Sequence, residues 1–376
     1  IVLTYTLYTL STKHKRFITI AVSMLIPFIC VYSMFVIFTG KTEGNGYDVV
    51  AKQAINWRPP QYAELEEQFF RIDSYDELDN LGMHWQMPTI NAFHSVVPSS
   101  VTEYYVEIGE KRGVASRPKP EYIGIRALNS VKYQYKKANK TENQLLGFEY
   151  IDTQNGYDIF ENKHFIPMGF TYDYLLANHQ FEQTTKKDRI LLKGLLLEDE
   201  AYEKYNYLLP TIDDISVKSL SDQAFLQDCD ILAKNASSDF RYDKDSFACT
   251  ITSDKPNLAF FSIPYEEGFS ATVNGKEVEI LKANIGFMAV EIPAGTSTIQ
   301  FNYKTPGLKA GALISIISAI ILILYVIIIK KLSKNWVYKS TDEDIMFAND
   351  FVLSENTTDD TEEIQAENPP ENDNLS

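Results

Sequence analysis

The chain is poor in cysteine and histidine, and it has no basic stretch interleaved with aromatic residues. Its 376 residues contain three cysteines and five histidines. No Cys-x-x-Cys pair occurs, and His14, His84, His94, His164 and His179 stand at no metal-ligand spacing, which excludes the usual zinc layouts. We therefore assign no metal, cofactor-binding or catalytic residue. The lack of a basic, aromatic-laced patch argues against nucleic acid as a partner. Adjacent carboxylates such as Asp213 and Asp214 are too common in loops to mark a glycosidase pair.

Lysine and arginine are missing from the end of the chain. Residues 341–376 hold 12 Asp and Glu and no basic residue, which accounts for most of the net charge of -16. With no apolar period and with Pro369 and Pro370, this segment is expected to be a disordered acidic tail.

Charge is also missing from two long apolar runs, 17–39 and 310–329. Each is long enough to cross a hydrocarbon core of about 30 Å as a helix. Lys13, His14, Lys15 and Arg16 precede the first run, and Lys330, Lys331, Lys334 and Lys339 follow the second. Basic flanks stay in the cytoplasm, so residues 40–309 are expected outside and the C-terminus inside. The lipid bilayer is the first partner implied. Residues 1–10 are apolar as well. They read as the end of a truncated transmembrane helix in the C-terminal part of a larger polytopic protein, whose other helices would be partners. A two-span protein with a short apolar leader is the alternative. A signal peptide does not fit an apolar stretch placed before the basic cluster. Gly311, Ser315 and Ala319 recur at i, i+4 and i+8, a small-residue face that would let helices approach closely.

The polar middle divides near residue 210. Residues 40–210 read as an α+β region, with a helix over 99–109, strands near 131–135, 157–160 and 170–174, and helical character over 179–204. Residues 211–306 read as purely β. Asn274-Gly275 between alternating runs is a strong hairpin signal, and a second turn falls at Pro293-Ala294-Gly295. Short strands at this spacing indicate a β-sandwich, joined through Pro306-Gly307 to the second apolar run. Cys30 lies in the first run; a bridge between Cys229 and Cys249 would stabilise the fold by about 3 kcal/mol if its geometry allowed. Trp85, with His84 and His94 nearby, could stack on a sugar ring or could pack within a loop.

The segment Ile263-Pro264-Tyr265-Glu266-Glu267-Gly268-Phe269-Ser270-Ala271-Thr272-Val273-Asn274-Gly275-Lys276 resembles the "sIPYdkGWtAtVNGk" signature of the YfhO family of bacterial membrane proteins. Asn284 to Val290, Ile292 to Gly295 and Phe301 to Gly307 resemble further family segments. Upstream, the same holds for Phe70-Arg71-Ile72, Leu128-Asn129-Ser130-Val131-Lys132-Tyr133, and Phe160-Glu161-Asn162 through Phe165-Ile166-Pro167-Met168-Gly169-Phe170. Phe269 departs from the usual Trp. The resemblance spans about residues 65–330. It implies a protein similar to C-class glycosyltransferases, which take sugar from a polyprenyl-phosphate carrier outside the membrane. It also implies a cell-wall polymer such as teichoic acid as acceptor. The catalytic acidic residue of such proteins belongs to an early outer loop, which would lie upstream of Ile1. Among the matched residues, Arg71, Asn129, Tyr133, Asn162, Pro167, Pro264, Tyr265, Gly268, Asn274, Gly275, Gly295 and Pro306 are expected to shape the fold. A membrane-anchored glycan-binding protein without chemistry is the competing reading.

Overall fold

The computed structural model describes residues 12, 17–43, 68–74, 79–110, 113, 115–138 and 144–335. The apolar start (1–10) and the acidic tail (341–376) lie outside the described residues. The chain separates into two compact units, Ile1–Thr305 and Pro306–Ser376.

Both apolar runs are helices, Phe17–Glu43 and Leu308–Asn335. Within them, Ser23–Gly40 and Leu308–Leu332 are long and apolar enough to cross a membrane, and none of either stretch is buried within the protein. Eighteen helical residues rise about 27 Å, close to the hydrocarbon thickness. On the second helix the Ser315 hydroxyl turns back to the Gly311 carbonyl at 2.9 Å.

Between the helices the polar region is rich in strands. The first group is β1 (Arg71–Asp73), β2 (Ala92–Phe93), β3 (Ala115–Ser116), β4 (Val131–Lys137), β5 (Phe148–Gln154), β6 (Tyr157–Asn162), β7 (Phe170–Thr171), β8 (Leu175–Leu176) and β9 (Leu195–Leu196). The second is β10 (Ser238–Tyr242), β11 (Ser246–Ser253), β12 (Asn257–Pro264), β13 (Phe269–Val273), β14 (Lys276–Val278), β15 (Leu281–Ala283), β16 (Phe287–Ile292) and β17 (Gly295–Tyr303). One four-stranded sheet runs β1-β4-β6-β5, with β1 parallel to β4. A five-stranded antiparallel sheet runs β10-β11-β17-β13-β14, and a second four-stranded sheet runs β15-β16-β12-β7. The last two share an apolar core. Phe247, Ile251, Val273, Ile299 and Phe301 from one meet Phe261, Met288, Val290 and Ile292 from the other.

Turn chemistry sets the hairpins. Asn274 and Gly275 both take positive φ, 52° and 77°, the two-residue turn whose twist matches paired strands. Asn155 and Gly156 do the same, at 49° and 85°, and join β5 to β6. A Cβ on Gly275 would meet nothing within 4 Å, so glycine serves conformation there and not space.

Two expectations need correction. Residues 211–306 are not purely β, because helices occupy Asp214–Val217 and Asp222–Lys234. Asp213 caps the first, its carboxylate accepting from the Ile215 and Ser216 amides at 3.0 and 2.9 Å, and the Ser221 hydroxyl caps the second. Such side-chain caps satisfy amides that a helix start leaves unpaired. The longer helix buries Phe225, Cys229 and Leu232, an apolar stripe at helical spacing. Second, the division at residue 210 is not a structural boundary. Strand β7 pairs with β12 through Phe170 and Phe260, and one core joins Tyr104, Leu128 and Leu195 to Phe225, Phe260 and Phe287. The question of a bridge, open on the sequence, is answered by two free thiols at Cys229 and Cys249. They belong to different cores, and burial pushes the Cys249 thiol up to about 12, so both stay protonated and unreactive at neutral pH.

The stretch 179–204 is helical only in part, with short helices Asn178–Glu182, Lys187–Ile190 and Asp199–Tyr205 around β9. The helix expected over 99–109 is present as Ser99–Glu107, ending before Gly109 at φ 89°.

Candidate functional site

Segments 70–72 and 128–133 singled out above, and Ser262 directly ahead of segment 263–276, meet at Arg71. Its strand is held by the parallel ladder, with the Arg71 amide donating to the Ser130 carbonyl at 2.8 Å. The side chain then crosses to β12. Nη1 donates to the Asn129 carbonyl at 2.9 Å and to the Ser262 hydroxyl at 3.1 Å, and Nη2 donates to the Ser262 carbonyl at 3.0 Å. A further segment reaches the same place, since the Ser262 hydroxyl lies 3.5 Å from the Met168 sulfur. Residues 58 and 191 positions away from Arg71 are thereby fixed to it.

On one side of Arg71 opens a cleft of about 460 Å³ lined by aromatic rings. Tyr242 is exposed, while Phe69, Phe269 and Tyr303 are half-buried. Phe69 packs on Phe240 and Tyr242 with ring centroids 5.0 and 5.3 Å apart, and Phe269 lies 4.9 Å from Tyr303. The polar lining is Arg71, Asp243, Lys244, Asp245, Ser246 and Glu266. The Tyr303 hydroxyl donates to Glu266 at 2.9 Å, and that bond holds the phenol above its ordinary pKa. Gly268 makes this placement possible, since a Cβ there would lie 2.5 Å from the Tyr303 ring and 2.7 Å from the Lys304 carbonyl.

A smaller cavity of about 230 Å³ shares Arg71 and Pro264 as its wall and is lined also by Asn129, Tyr105 and His94. A larger groove of about 780 Å³ is lined by Glu198, Glu279, Lys204 and Lys282 among others. Both of its lysines are already paired, Lys282 with Glu103 and Glu198 and Lys204 with Glu279, and its remaining charges, Asp199 and Glu200, are acidic. The aromatic cleft is the better binding site, because it joins apolar faces to a few convergent polar groups.

Trp85 does not serve as a ligand platform. The short helix Leu81–Trp85 turns it inward, where it is fully buried between Tyr135 and Tyr157 at 5.2 and 5.1 Å. His84 is exposed and His94 is exposed at the smaller cavity, and neither lines the aromatic cleft.

The remaining motif residues fall elsewhere. Tyr133 packs edge-on against Phe70 at 5.2 Å. The Asn162 side chain donates to the Val131 carbonyl and accepts from the His164 amide. Pro167 is half-buried ahead of Met168, whose carbonyl accepts the Ser237 hydroxyl. The Tyr265 amide donates to the Gly286 carbonyl at 2.9 Å. Gly295 opens β17 at φ 98°, and Pro306 is exposed after that strand. Sequence reading passed over Tyr242 and Phe240, which lie on β10 outside every recognised segment. The alternation of Phe240 and Tyr242 just after a helix end was the available signal.

The family model described as bacterial membrane protein YfhO matches residues 1–213 and 209–315. The chain belongs to this family. A curated protein from Bacillus subtilis (strain 168), named uncharacterized protein YfhO, is 32% identical over 72 residues. That stretch covers 19% of this chain and 8% of that protein, so the match spans a small part of the relative's length. No solved structure matches the chain. Membership in a membrane-protein family agrees with the two helices long enough to span a bilayer.

Proposed function

We propose that this chain is the C-terminal part of a polytopic, glycosyltransferase-like membrane protein, and that its aromatic cleft seats a sugar. The cleft carries this reading. The C–H faces of a sugar ring lie well on aromatic faces, and Tyr242, Phe69 and Phe269 supply such faces beside Asp243, Asp245 and Glu266 as acceptors for hydroxyl groups. In this reading the two sheets that share a core form a β-sandwich outside the membrane. The donor is a polyprenyl-phosphate sugar and the acceptor a cell-wall polymer such as teichoic acid, with the catalytic loop upstream of Ile1. A binding geometry alone also suits the second reading, a membrane-anchored glycan-binding protein without chemistry.

The full-length protein in membranes is expected to transfer sugar from a polyprenyl-phosphate donor to an acceptor glycan. Tyr242→Ala should weaken glycan binding about tenfold, roughly the loss of 1.4 kcal/mol, with little change in melting temperature, because the side chain is exposed. Binding without turnover would select the second reading, and binding unaffected by Tyr242→Ala would remove the cleft from both.

Sidedness has its own test. In a cysteine-free background, Lys276→Cys on exposed β14 should react with a membrane-impermeant thiol reagent in intact cells, while a cysteine at Ser340 should react only after lysis. Lys and Arg within about 15–20 residues of a span resist translocation, and acidic residues contribute little. Labelling of the tail position in intact cells would place the cleft in the cytoplasm and end the glycosyltransferase reading.

A further inference from the structure

Three of the arginines among the described residues are neutralised by carboxylates, while Arg241 is exposed to solvent on β10. Arg126 pairs with Asp73, Arg117 with Asp79 and Arg189 with Asp222. Arg71 differs: its three hydrogen-bond acceptors are two backbone carbonyls and a hydroxyl, all neutral. A guanidinium has five N–H groups, so Nε–H and one Nη2–H remain without an acceptor among the described residues. That pair of donors is the side of the group that fits two oxygens of one oxyanion. The charge is half-buried and lies over the Phe69 ring, 5.4 Å from its centroid. Burial lowers the guanidinium to about 10, yet it stays cationic at neutral pH.

We propose that Arg71 is the anion-binding group of the aromatic cleft, taking two oxygens of a monoanionic phosphodiester or carboxylate carried by the ligand. That the rest of the ligand is a sugar rests on the glycan reading above; the anion assignment does not. The cleft's position supports it, since Arg71 forms part of the wall of both cavities and is reachable from each. Asp243, Asp245 and Glu266 outnumber Arg71 and Lys244 in the lining, so the attraction for an anion is local to Arg71, and a group of more than one negative charge would be repelled more strongly than a monoanion. The backbone clamp to Asn129 and Ser262 fixes the guanidinium in advance, so little side-chain freedom is lost on binding.

The test uses the full chain in detergent and four probes in titration calorimetry: methyl glucoside, methyl glucuronide, dimethyl phosphate and acetate. Methyl glucuronide should bind at least tenfold more tightly than methyl glucoside, and the gap should shrink in high salt. Arg71→Gln should abolish the gap between the two glycosides, and Arg71→Lys should restore only part of it. Dimethyl phosphate against acetate decides between phosphodiester and carboxylate. Equal affinities of the charged and neutral glycosides, or a gap that survives Arg71→Gln, would overturn the assignment. If methyl glucoside fails to bind but dimethyl phosphate or acetate binds through Arg71, the glycan reading falls and the anion site stands. Should Arg71→Gln fail to fold, the wild-type chain still decides. Modification of Arg71 by phenylglyoxal, mapped by peptide mass, should slow in the presence of the tighter-binding anion and not with methyl glucoside. Unslowed modification overturns the proposal.

Discussion

Asp73→Ala is expected to lower the stability of the folded region by about 3–5 kcal/mol, a large share of the roughly 5–15 kcal/mol that holds an ordinary domain folded. Asp73 and Arg126 are both fully buried, with the Asp73 carboxylate 2.7 Å from Arg126 Nε. Arg126 spends its other donors on the carbonyls of Pro118, Lys119 and Tyr122. The pair thereby ties β1 to the helix Ile123–Leu128 and to the loop before it. Removing the carboxylate leaves a cation in a place that water cannot reach, which is the source of the loss. Thermal melting of the full chain in detergent measures it. Asp73→Leu together with Arg126→Met should recover most of the loss, since an apolar pair of similar volume removes the stranded charge. A single mutant that melts with the wild type would mean that water reaches the pair.

The second large effect is expected from Phe261→Ala, again about 3–5 kcal/mol. Phe261 is fully buried between the two sheets, its ring 5.5 Å from Phe247 and 5.1 Å from Phe301. Gly169 faces it so closely that a Cβ there would lie 2.7 Å from the ring. The ring therefore fills a space that no neighbour is long enough to take over, and truncation should leave a cavity. The two sheets lose their shared centre, so unfolding should stay cooperative but shift to lower temperature. A loss under about 1 kcal/mol would show that the layers close over the gap.

Local chemistry was legible where it is short-range. Asn274-Gly275 announced its hairpin because positive φ at both positions restricts the residue choice. Asn155-Gly156 carried the same signal and was not used. The helix Asp222–Lys234 was hidden by the strong strand patterns after it, although Ser221 followed by Phe225, Cys229 and Leu232 is a cap and an apolar stripe. Trp85 illustrates the opposite limit. An aromatic between two histidines suggests a platform, but only tertiary packing decides which way a five-residue helix turns. The segments 70–72, 128–133 and 263–276 were recognisable one by one. Nothing in their spacing says that one guanidinium gathers Asn129 and Ser262, because that contact depends on a parallel strand pair and a crossing to another sheet.

The reach of Arg71 sets a clock on synthesis. Ser262 follows Arg71 by 191 residues, and chain elongation at roughly 5–20 residues per second puts their emergence about 10–40 s apart. Throughout that interval β1 can pair with β4 and with the segment around Thr89, but not with β12, and parallel pairing is slow to form in any case. The cleft is therefore among the last features to be completed as the nascent chain leaves the ribosome, and half-built protein exposes the aromatic rings without the strand that closes them.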